Sequence, residues 1–332
     1  MSINTLTQTR SAGLTGLTEK TLKLILFGGK GGVGKTTCAS SAGLYLAGEG
    51  FKVLVISTDP AHSLSDSLAQ KFGAEIKEVK GIKNLSVLEI NAQKALSQFK
   101  AGNEKQIKRI LNTSTYLDQQ DIDALFTLPL PGLDELMGFK TIVDLIDKGE
   151  FDKYIVDTAP TGHALRLLTL PGLLDEWIKV MGRMRWKYRY MVETFSGGYK
   201  EDDGDDFLLS MKKMVKRIEG LLKDQSRCEF IAVTIPEDMA ISETERLVNS
   251  LQSYGINVKQ LIVNNVLESG DCGFCRERRR AQQDYLKQIK SRFGALRTVI
   301  IPLWPREVRG MAPLNNLNGR LFPLAKKPAA QL

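Results

Sequence analysis

The sequence predicts an α/β protein with a doubly wound, mostly parallel sheet and a helical insertion subdomain. Apolar runs of strand length recur along the 332 residues, and segments with helical periodicity separate them. Near-continuous apolar strands that alternate with helices are typical of a parallel sheet whose two faces are both covered. A glycine-rich turn follows the first run, as in sheets that bind ligands at the carboxyl ends of their strands. The predicted strands are residues 22–27, 52–58, 85–90, 154–157, 230–234, 260–264 and 298–301.

Two long segments, about 94–149 and 165–223, have a helical pattern and contain no predicted strand. We expect them to form one helical subdomain inside a single domain at residues 21–332, which follows a flexible tail at residues 1–20. Methionine and aromatic residues recur at helical spacing in the second segment. They form either its core or a hydrophobic groove for an apolar helix. These residues are Trp177, Ile178, Val180, Met181, Met184, Met191, Phe195, Met211 and Met214.

Composition excludes several classes of protein. Hydrophobic residues make up 42% and charged residues 25% of the chain, as in soluble globular proteins, and no run is long enough to span a bilayer. The N-terminus lacks a secretory signal and four cysteines are too few for a disulfide scaffold, so we expect a cytoplasmic protein. The net charge is +8, and its basic clusters at 183–189 and 276–280 come without a nucleic-acid motif. We therefore expect solvated helix faces or a surface near a membrane, and not a nucleic-acid partner.

A glycine-rich segment between the first predicted strand and the following helix predicts a phosphate-binding loop. Five of the seven residues from 28 to 34 are glycine, which lets successive backbone N–H groups turn towards an anion. Lys35 then supplies positive charge for the outer phosphates, and the Thr36 hydroxyl is placed to hold Mg²⁺. The pattern G-x-x-x-x-G-K-[ST] fits residues 29–36, and the flanking strand and helix are the context that this motif requires. The sequence therefore predicts nucleotide binding.

A second lysine, Lys30, lies inside the same loop, where a phosphate-binding loop needs only Lys35 for its own phosphates. Its side chain is either solvated and without a role, or it reaches a nucleotide held by a neighbouring subunit. In the second case an extra cation would stabilise the transferring phosphate electrostatically, as trans-acting arginines do in other NTPases.

Two predicted strands end at aspartates, Asp59 and Asp157, at the sheet edge that holds the glycine-rich loop. An NTPase needs one carboxylate near Mg²⁺ and one group that orients or deprotonates the attacking water. Asp157 suits the metal and Asp59 suits the water, whereas either aspartate alone would be interpreted as a helix N-cap. The two histidines of the chain, His62 and His163, follow these aspartates and are either sensors of phosphate or hydrogen-bonded loop residues.

The spacing of Cys272 and Cys275 suits a zinc site, in a loop before a charged helix predicted at 276–290. Structural zinc takes four ligands, and neither Cys38 nor Cys228 is expected nearby. The simplest arrangement is one zinc shared between two copies of the chain, with two thiolates from each. A redox pair or an inert loop are the alternatives.

Together these motifs resemble those of the ATPases of the arsenite-pump and tail-anchored-protein-targeting family. The resemblance runs from about residue 23 to residue 322, which is nearly the whole chain, and its motifs are highly specific. The segments that carry it are 29–37, 59–62 and 157–163, with further matches at 243–246, 263–265, 302–303 and 307–310.

The resemblance implies a P-loop ATPase that works as a head-to-head homodimer with ATP and Mg²⁺. Lys30 would then cross the dimer interface and act in catalysis. Asp59 would activate water, and Glu237 would reach the nucleotide across the interface. Asn264 would recognise adenine, and the loop from Pro302 to Arg309 would flank the base. The implied nucleotide-binding residues are Gly29, Lys30, Gly31, Gly32, Val33, Gly34, Lys35, Thr36, Thr37, Glu237, Asn264 and Pro302, and the implied magnesium residues are Thr36, Asp59 and Asp157.

Cysteine content separates the two branches of this family. The targeting branch has a cysteine pair at the position of Cys272 and Cys275, which implies a zinc shared across the dimer. The arsenite-pump branch usually has two P-loop halves in one polypeptide and arsenite-binding cysteines near the helical insert. This chain has one P-loop half and no cysteine between Cys38 and Cys228, and both facts favour the targeting branch. One feature departs from that branch: the helical insert is not rich in methionine, since the whole chain has only nine.

We therefore predict an ATP-hydrolysing homodimer that binds the hydrophobic transmembrane helices of tail-anchored proteins and delivers them to a membrane, where a receptor is a further partner. The alternative is the catalytic ATPase subunit of an arsenite efflux pump. A third interpretation is a partitioning-type ATPase that binds nucleic acid or a membrane through its basic surface.

Overall fold

The computed structural model describes residues 13–59, 63–114, 133–158, 179, 183 and 203–323. In this part of the chain one sheet contains eight strands in the order β3-β4-β2-β5-β1-β6-β7-β8. Neighbouring strands are parallel except β3 and β4, which are antiparallel. The strands are β1 (Leu24–Gly28), β2 (Val53–Ser57), β3 (Lys77–Glu78), β4 (Leu85–Glu89), β5 (Lys153–Asp157), β6 (Cys228–Thr234), β7 (Val258–Val266) and β8 (Arg297–Pro302).

Helices follow most of these strands, as a parallel sheet requires. The first packs closely on the sheet through small residues, because a Cβ atom at Gly43 would lie 2.5 Å from a methyl carbon of Val55. The helices are α1 (Lys35–Gly48), α2 (Ser63–Leu68), α3 (Ala92–Gly102), α4 (Glu104–Ser114), α5 (Leu133–Lys148), α6 (Asp203–Lys223), α7 (Asp238–Ser253), α8 (Gly273–Arg292) and α9 (Met311–Leu321).

The predicted fold class is confirmed, and each of the seven predicted strands is present with ends that differ by at most two residues. All residues of β1, β2, β4, β5 and β6 are buried, which is why their apolar runs are uninterrupted. The eighth strand, β3, was missed because it consists of two exposed charged residues and has no apolar pattern.

The segment before β1 differs from the prediction. Residues 13–20 were expected in a flexible tail, but Leu14 and Leu17 belong to the hydrophobic core that also contains β1 side chains. The Leu14 N–H donates to the Leu321 carbonyl at 2.7 Å, and Thr15 exchanges two hydrogen bonds with the side chain of Gln260. Two leucines among serines and threonines give no periodicity, so only their contacts reveal the packing. Residues 1–12 lie outside the described part of the chain.

The chain divides into two compact units, the first containing the sheet and the second made of residues 91–147 and 166–221. The described residues of the second unit are helical and include no strand. Phe207, Leu208 and Met211 of α6 form a buried cluster against Phe99 and Ile107. The predicted groove residues between 177 and 195 lie outside the described residues. Among the residues that are described, no helix is long and apolar enough to cross a membrane.

Candidate functional site

The glycine-rich loop lies between the end of β1 at Gly28 and the start of α1 at Lys35. Gly34 precedes α1 with a left-handed φ of 96°, and a Cβ atom there would lie 2.4 Å from Asn264 Nδ2. A Cβ atom at Gly29 would lie 2.1 Å from the Val233 carbonyl oxygen. Backbone conformation and the close approach of β6 and β7 thus require glycine at these two positions. The loop is held tightly enough for its N–H groups to keep a fixed direction.

Lys35 is buried at the start of α1, and its Nζ donates to the Lys30 carbonyl oxygen at 3.1 Å. This hydrogen bond spans the loop and places the ammonium group against it. Burial lowers the pKa of Lys35, and the nearby carboxylates of Asp157, Asp59 and Glu243 oppose that shift. Lys35 thus places a positive charge at the N-terminus of α1, and helix N-termini favour phosphate groups.

Asp157 lies beside this loop because β5 is paired with both β1 and β2, in register with Phe27 and Ser57. The Thr36 hydroxyl donates to Asp157 Oδ2 at 2.6 Å. The other oxygen, Oδ1, is buried and has no hydrogen-bond partner in the described part of the chain. Burial raises the pKa of Asp157 to about 6, and the hydrogen bond from Thr36 acts against this rise.

These oxygens fit a magnesium ion. A hydroxyl and a carboxylate with one unused oxygen are hard donors, and Mg²⁺ in nucleotide sites is bound by one or two such side chains together with phosphate oxygens. A buried carboxylate oxygen without a partner is costly unless a ligand completes it. Asp157 and Thr36 would hold this ion.

Asp59 is two residues beyond the end of β2, and its backbone N–H donates to Ser57 Oγ at 3.1 Å. Its side chain is half-buried and close enough to Asp157 to contribute to the raised pKa of that residue. Asp59 and Asp157 thus lie at one sheet edge, as predicted. His62 and His163 lie outside the described residues, as do the rest of the 60–62 and 159–163 motif segments.

Three further predicted residues lie at this edge of the sheet: Glu237 follows β6, Asn264 is two residues before the end of β7, and Pro302 ends β8. Asn264 Nδ2 donates to the Val33 carbonyl oxygen at 2.9 Å, so this side chain contacts the glycine-rich loop directly. Pro302 is the last residue of β8 and is paired with Val266 of β7. Glu237 precedes α7 and lies 3.8 Å from the Arg278 guanidinium. The fold therefore places all three at the carboxyl ends of adjacent strands.

The cysteine pair is at the start of a helix and not in the loop that was predicted. Cys272 is the N-cap of α8 and Cys275 is in its first turn, with the Cys275 N–H donating to Cys272 Sγ at 3.3 Å. Hydrogen bonds from the Cys275 side chain and backbone lower the pKa of Cys272, and the same pairing raises that of Cys275. Cys38 and Cys228 are buried elsewhere. No group of three or more potential metal ligands exists within the described ranges.

Two further groups shape this edge: Glu89, which was not found from the sequence, and Arg309, which was expected in the loop that flanks the base. Glu89, at the end of β4, accepts hydrogen bonds from the Ser65 N–H at 3.1 Å and from its hydroxyl at 3.0 Å. Arg309 donates to the Asp66 carbonyl oxygen at 3.0 Å. Both interactions fix α2, the short helix that follows Asp59. Asp59 and Asp157 were identified as carboxylates at the ends of predicted strands. The same criterion would also have identified Glu89.

Comparison with known proteins agrees with this geometry. The family model for anion-transporting ATPases matches residues 22–323. The chain is 35% identical over 304 residues to ATPase ASNA1 homolog 1 of Paramecium tetraurelia, which covers 89% of this chain and 91% of the relative. It is 34% identical over 308 residues to ATPase GET3 of Phaeosphaeria nodorum, with 90% and 94% covered. It is 33% identical over 326 residues to ATPase get3 of Botryotinia fuckeliana, with 95% and 94% covered. The predicted family is confirmed: the chain belongs to the anion-transporting ATPases and is itself an ATPase.

Proposed function

We propose that this ATPase is a homodimeric targeting factor that binds the transmembrane helices of tail-anchored proteins and delivers them to a membrane. The observation that carries the ATPase part is the contact of Thr36 with Asp157, whose second oxygen is buried beside Lys35 with no partner among the described residues. The resemblance of the motifs and the GET3 and ASNA1 names of the relatives support the targeting part.

At each nucleotide site, the backbone of residues 29–34 and the side chain of Lys35 bind the phosphates of ATP. Thr36, Asp157 and Asp59 hold Mg²⁺, which supplies positive charge that neutralises the phosphate oxygens. Asp59 orients the attacking water and accepts its proton. Asn264 and Pro302 contact the adenine base, and Thr37 completes the phosphate-binding motif.

Each protomer contributes to its partner's site. Lys30 is half-buried, and its backbone carbonyl is already bound to Lys35. We propose that its side chain extends to the nucleotide of the other protomer, where a second cation stabilises the transferring phosphate. Glu237 reaches the same nucleotide after it leaves Arg278, since their 3.8 Å contact is exposed and therefore weak.

Cys272 and Cys275 fit a zinc ion shared by two protomers. Cys272 is exposed and Cys275 is half-buried, so a second copy can approach them, and Cys38 and Cys228 are buried elsewhere. Two thiolates from each copy supply the four ligands of a structural zinc site. A redox pair and an inert helix start are the alternatives, and metal content distinguishes them.

Cysteine positions also argue against arsenite as the transported ligand. Thiolates are the soft ligands that such an ion would need, and residues 91–147 and 166–221 contain no cysteine.

The chain has one phosphate-binding motif, so two copies are needed for a pair of sites. Four free thiols suit the reducing cytoplasm, where we propose that the protein acts before it meets a membrane receptor.

ATP can control client binding only if the client has different affinities for two states of the dimer. We propose that ATP favours a closed dimer in which the helical units of both protomers form one apolar groove. Hydrolysis then opens the dimer and releases the client. Exposed Leu209 on α6, beside the buried Phe207 and Leu208, is the kind of residue that such a groove uses.

Co-expression with a tail-anchored substrate tests the proposal. We expect a soluble complex with the intact substrate and none with a matched substrate that lacks its transmembrane helix. In parallel, ATPase activity is measured with and without arsenite, and no stimulation is expected. Strong stimulation by arsenite without a client complex would support the efflux-pump alternative and contradict the targeting function.

A further inference from the structure

A buried glutamine on α8 connects this helix to the strand end that bears Asn264. Gln282 has only 5% of its surface exposed, although it belongs to a helix whose other residues are mostly exposed. Its Oε1 accepts a hydrogen bond from the Leu267 N–H at 2.8 Å, and its Nε2 donates to the Asn265 carbonyl oxygen at 3.1 Å. One side chain thus binds the backbone on both sides of residue 266.

This part of β7 does not continue as a regular strand. The register of β7 on β8 shifts between Val263 and Val266, so Asn264 and Asn265 fall in the irregular part. Asn265 has a φ of 58°, in the left-handed region that non-glycine residues seldom adopt and that asparagine adopts more readily than most. This conformation is still less favourable than an extended one, so surrounding contacts stabilise it. The hydrogen bond from Gln282 to the Asn265 carbonyl is such a contact.

Asn265 directly follows the residue whose side chain contacts the phosphate-binding loop. The Asn264 amide donates to the Val33 carbonyl oxygen and lies close to Gly34 of the phosphate-binding loop. If Asn265 relaxed to the extended conformation of a normal strand, the chain path would change next to Asn264. The Asn264 amide would then leave the edge of the loop.

We propose that Gln282 is a positioning residue for the nucleotide base, which acts by holding Asn265 left-handed so that Asn264 faces the nucleotide. The inference rests on the proposed role of Asn264 as the adenine-recognising residue. It gives α8 a function in base selection, although none of its residues is expected to contact the base.

Gln282→Leu tests the inference, because leucine has a similar volume and no polar atoms. Loss of two buried hydrogen bonds predicts a KM for ATP that is about tenfold higher, with kcat within about twofold of the original value. The preference for ATP over GTP should fall by a similar factor. Gln282→Glu keeps the acceptor for Leu267 but places a buried carboxylate oxygen against the Asn265 carbonyl, so a rise in KM at least as large is expected.

Gln260, on the strand β7 that bears Asn264, provides a matched control. It is 2% exposed, and its amide binds Thr15 and the Glu229 carboxylate at the opposite end of β7. Gln260→Leu should lower the Tm in the same way as Gln282→Leu but leave the KM for ATP unchanged. Asn265→Gly, added to Gln282→Leu, should restore KM to within about threefold, because glycine adopts positive φ without steric cost.

The following outcomes would overturn the inference. An unchanged KM and ATP preference in Gln282→Leu and Gln282→Glu would show that the contact does not position the base. A rise of KM in Gln260→Leu equal to that in Gln282→Leu would mean a general effect of stability. If Asn264→Ala leaves ATP preference unchanged, the proposed role of Asn264 fails as well. If Asn264→Ala lowers ATP preference and the Gln282 variants do not, only the positioning role fails.

Discussion

Polar and charged side chains are buried at both ends of the parallel sheet, but they differ in their hydrogen-bond partners. At the amino end, the Lys153 ammonium donates to the carbonyl oxygens of Leu22, at 2.6 Å, and of Glu19. Gln260, at the same end, binds both the Thr15 backbone and Glu229. At the carboxyl end, Asp157 has one oxygen without a hydrogen-bond partner among the described residues.

This difference separates groups that hold the fold from groups that await a ligand. A buried polar atom with partners contributes modestly to stability, whereas one without partners costs free energy unless something else binds it. Burial alone therefore does not identify function here; at Asp157 the buried oxygen without a partner among the described residues lies beside the phosphate-binding loop, and this combination points to a ligand.

Two buried lysines give the strongest test of this comparison. Lys35→Ala removes the charge at the phosphate-binding loop, and we expect ATP affinity to fall about 100-fold or more, since a charged hydrogen bond and the loop geometry are both lost. Lys153→Met leaves two carbonyl oxygens without a donor and should lower the free energy of unfolding by about 1–3 kcal/mol, with ATP affinity unchanged. Titration with a fluorescent ATP analogue and thermal unfolding measure the two quantities. Retained ATP binding in Lys35→Ala would contradict the site.

The roles of the two aspartates can be separated by Asp59→Asn. This variant keeps the shape of the side chain but cannot accept a proton, so ATP should still bind while steady-state hydrolysis falls by roughly 100- to 1,000-fold. Binding and turnover are measured on the same preparation. Unchanged turnover would exclude Asp59 as the group that activates water.

Low pH should weaken Mg²⁺ binding at the carboxyl end of the sheet through protonation of Asp157. Its pKa is raised from 3.8 to about 6 in the folded protein, so a proton competes with Mg²⁺ below about pH 6. The apparent affinity for Mg²⁺ at saturating ATP should fall by up to about tenfold per pH unit there. Without ligand the sign is opposite: between these two pKa values the folded state binds more protons than the unfolded state, so this group favours folding more strongly as pH falls.

Calorimetric titration between pH 5 and 7.5 measures the change in affinity. Asp157→Asn cannot ionise and is the matched control, because it preserves the shape of the side chain. The pH step that belongs to Asp157 should be absent from this variant. An identical step in both proteins would assign the effect to ATP or to another group.

The cysteine pair tests whether two protomers share a zinc ion. Changing both Cys272 and Cys275 to Ser should remove about half a zinc per chain and weaken the dimer, because four thiolates hold one structural zinc. Elemental analysis and sedimentation measure metal and association. Changing Cys38 to Ser is the control and should leave zinc content intact, since Cys38 is buried in α1. Purified protein without zinc would contradict the shared site and leave the inert or redox alternatives.

Local sequence patterns predict much of this molecule. Buried parallel strands are short apolar runs, and the glycine-lysine-threonine pattern is itself a local backbone geometry, so seven strands and the phosphate-binding loop are visible without a structure. The edge strand β3 and the packing of Leu17 are not, because each depends on neighbours that are distant in the chain. The helix start at Cys272 was missed for a local reason, since its N-cap is a cysteine and not one of the residues that usually mark a helix start.

The family, seven of the eight described strands and most of the residues named at the carboxyl edge are evident from the sequence, because they follow from patterns a few residues long. Which buried groups have hydrogen-bond partners is evident only from the folded chain. Gln282 and Gln260 are the same amino acid and are both buried, but one binds the backbone beside Asn264 and the other binds the N-terminal segment. Hydrogen-bond satisfaction depends on atoms that the fold brings together from far apart, so no local pattern contains it.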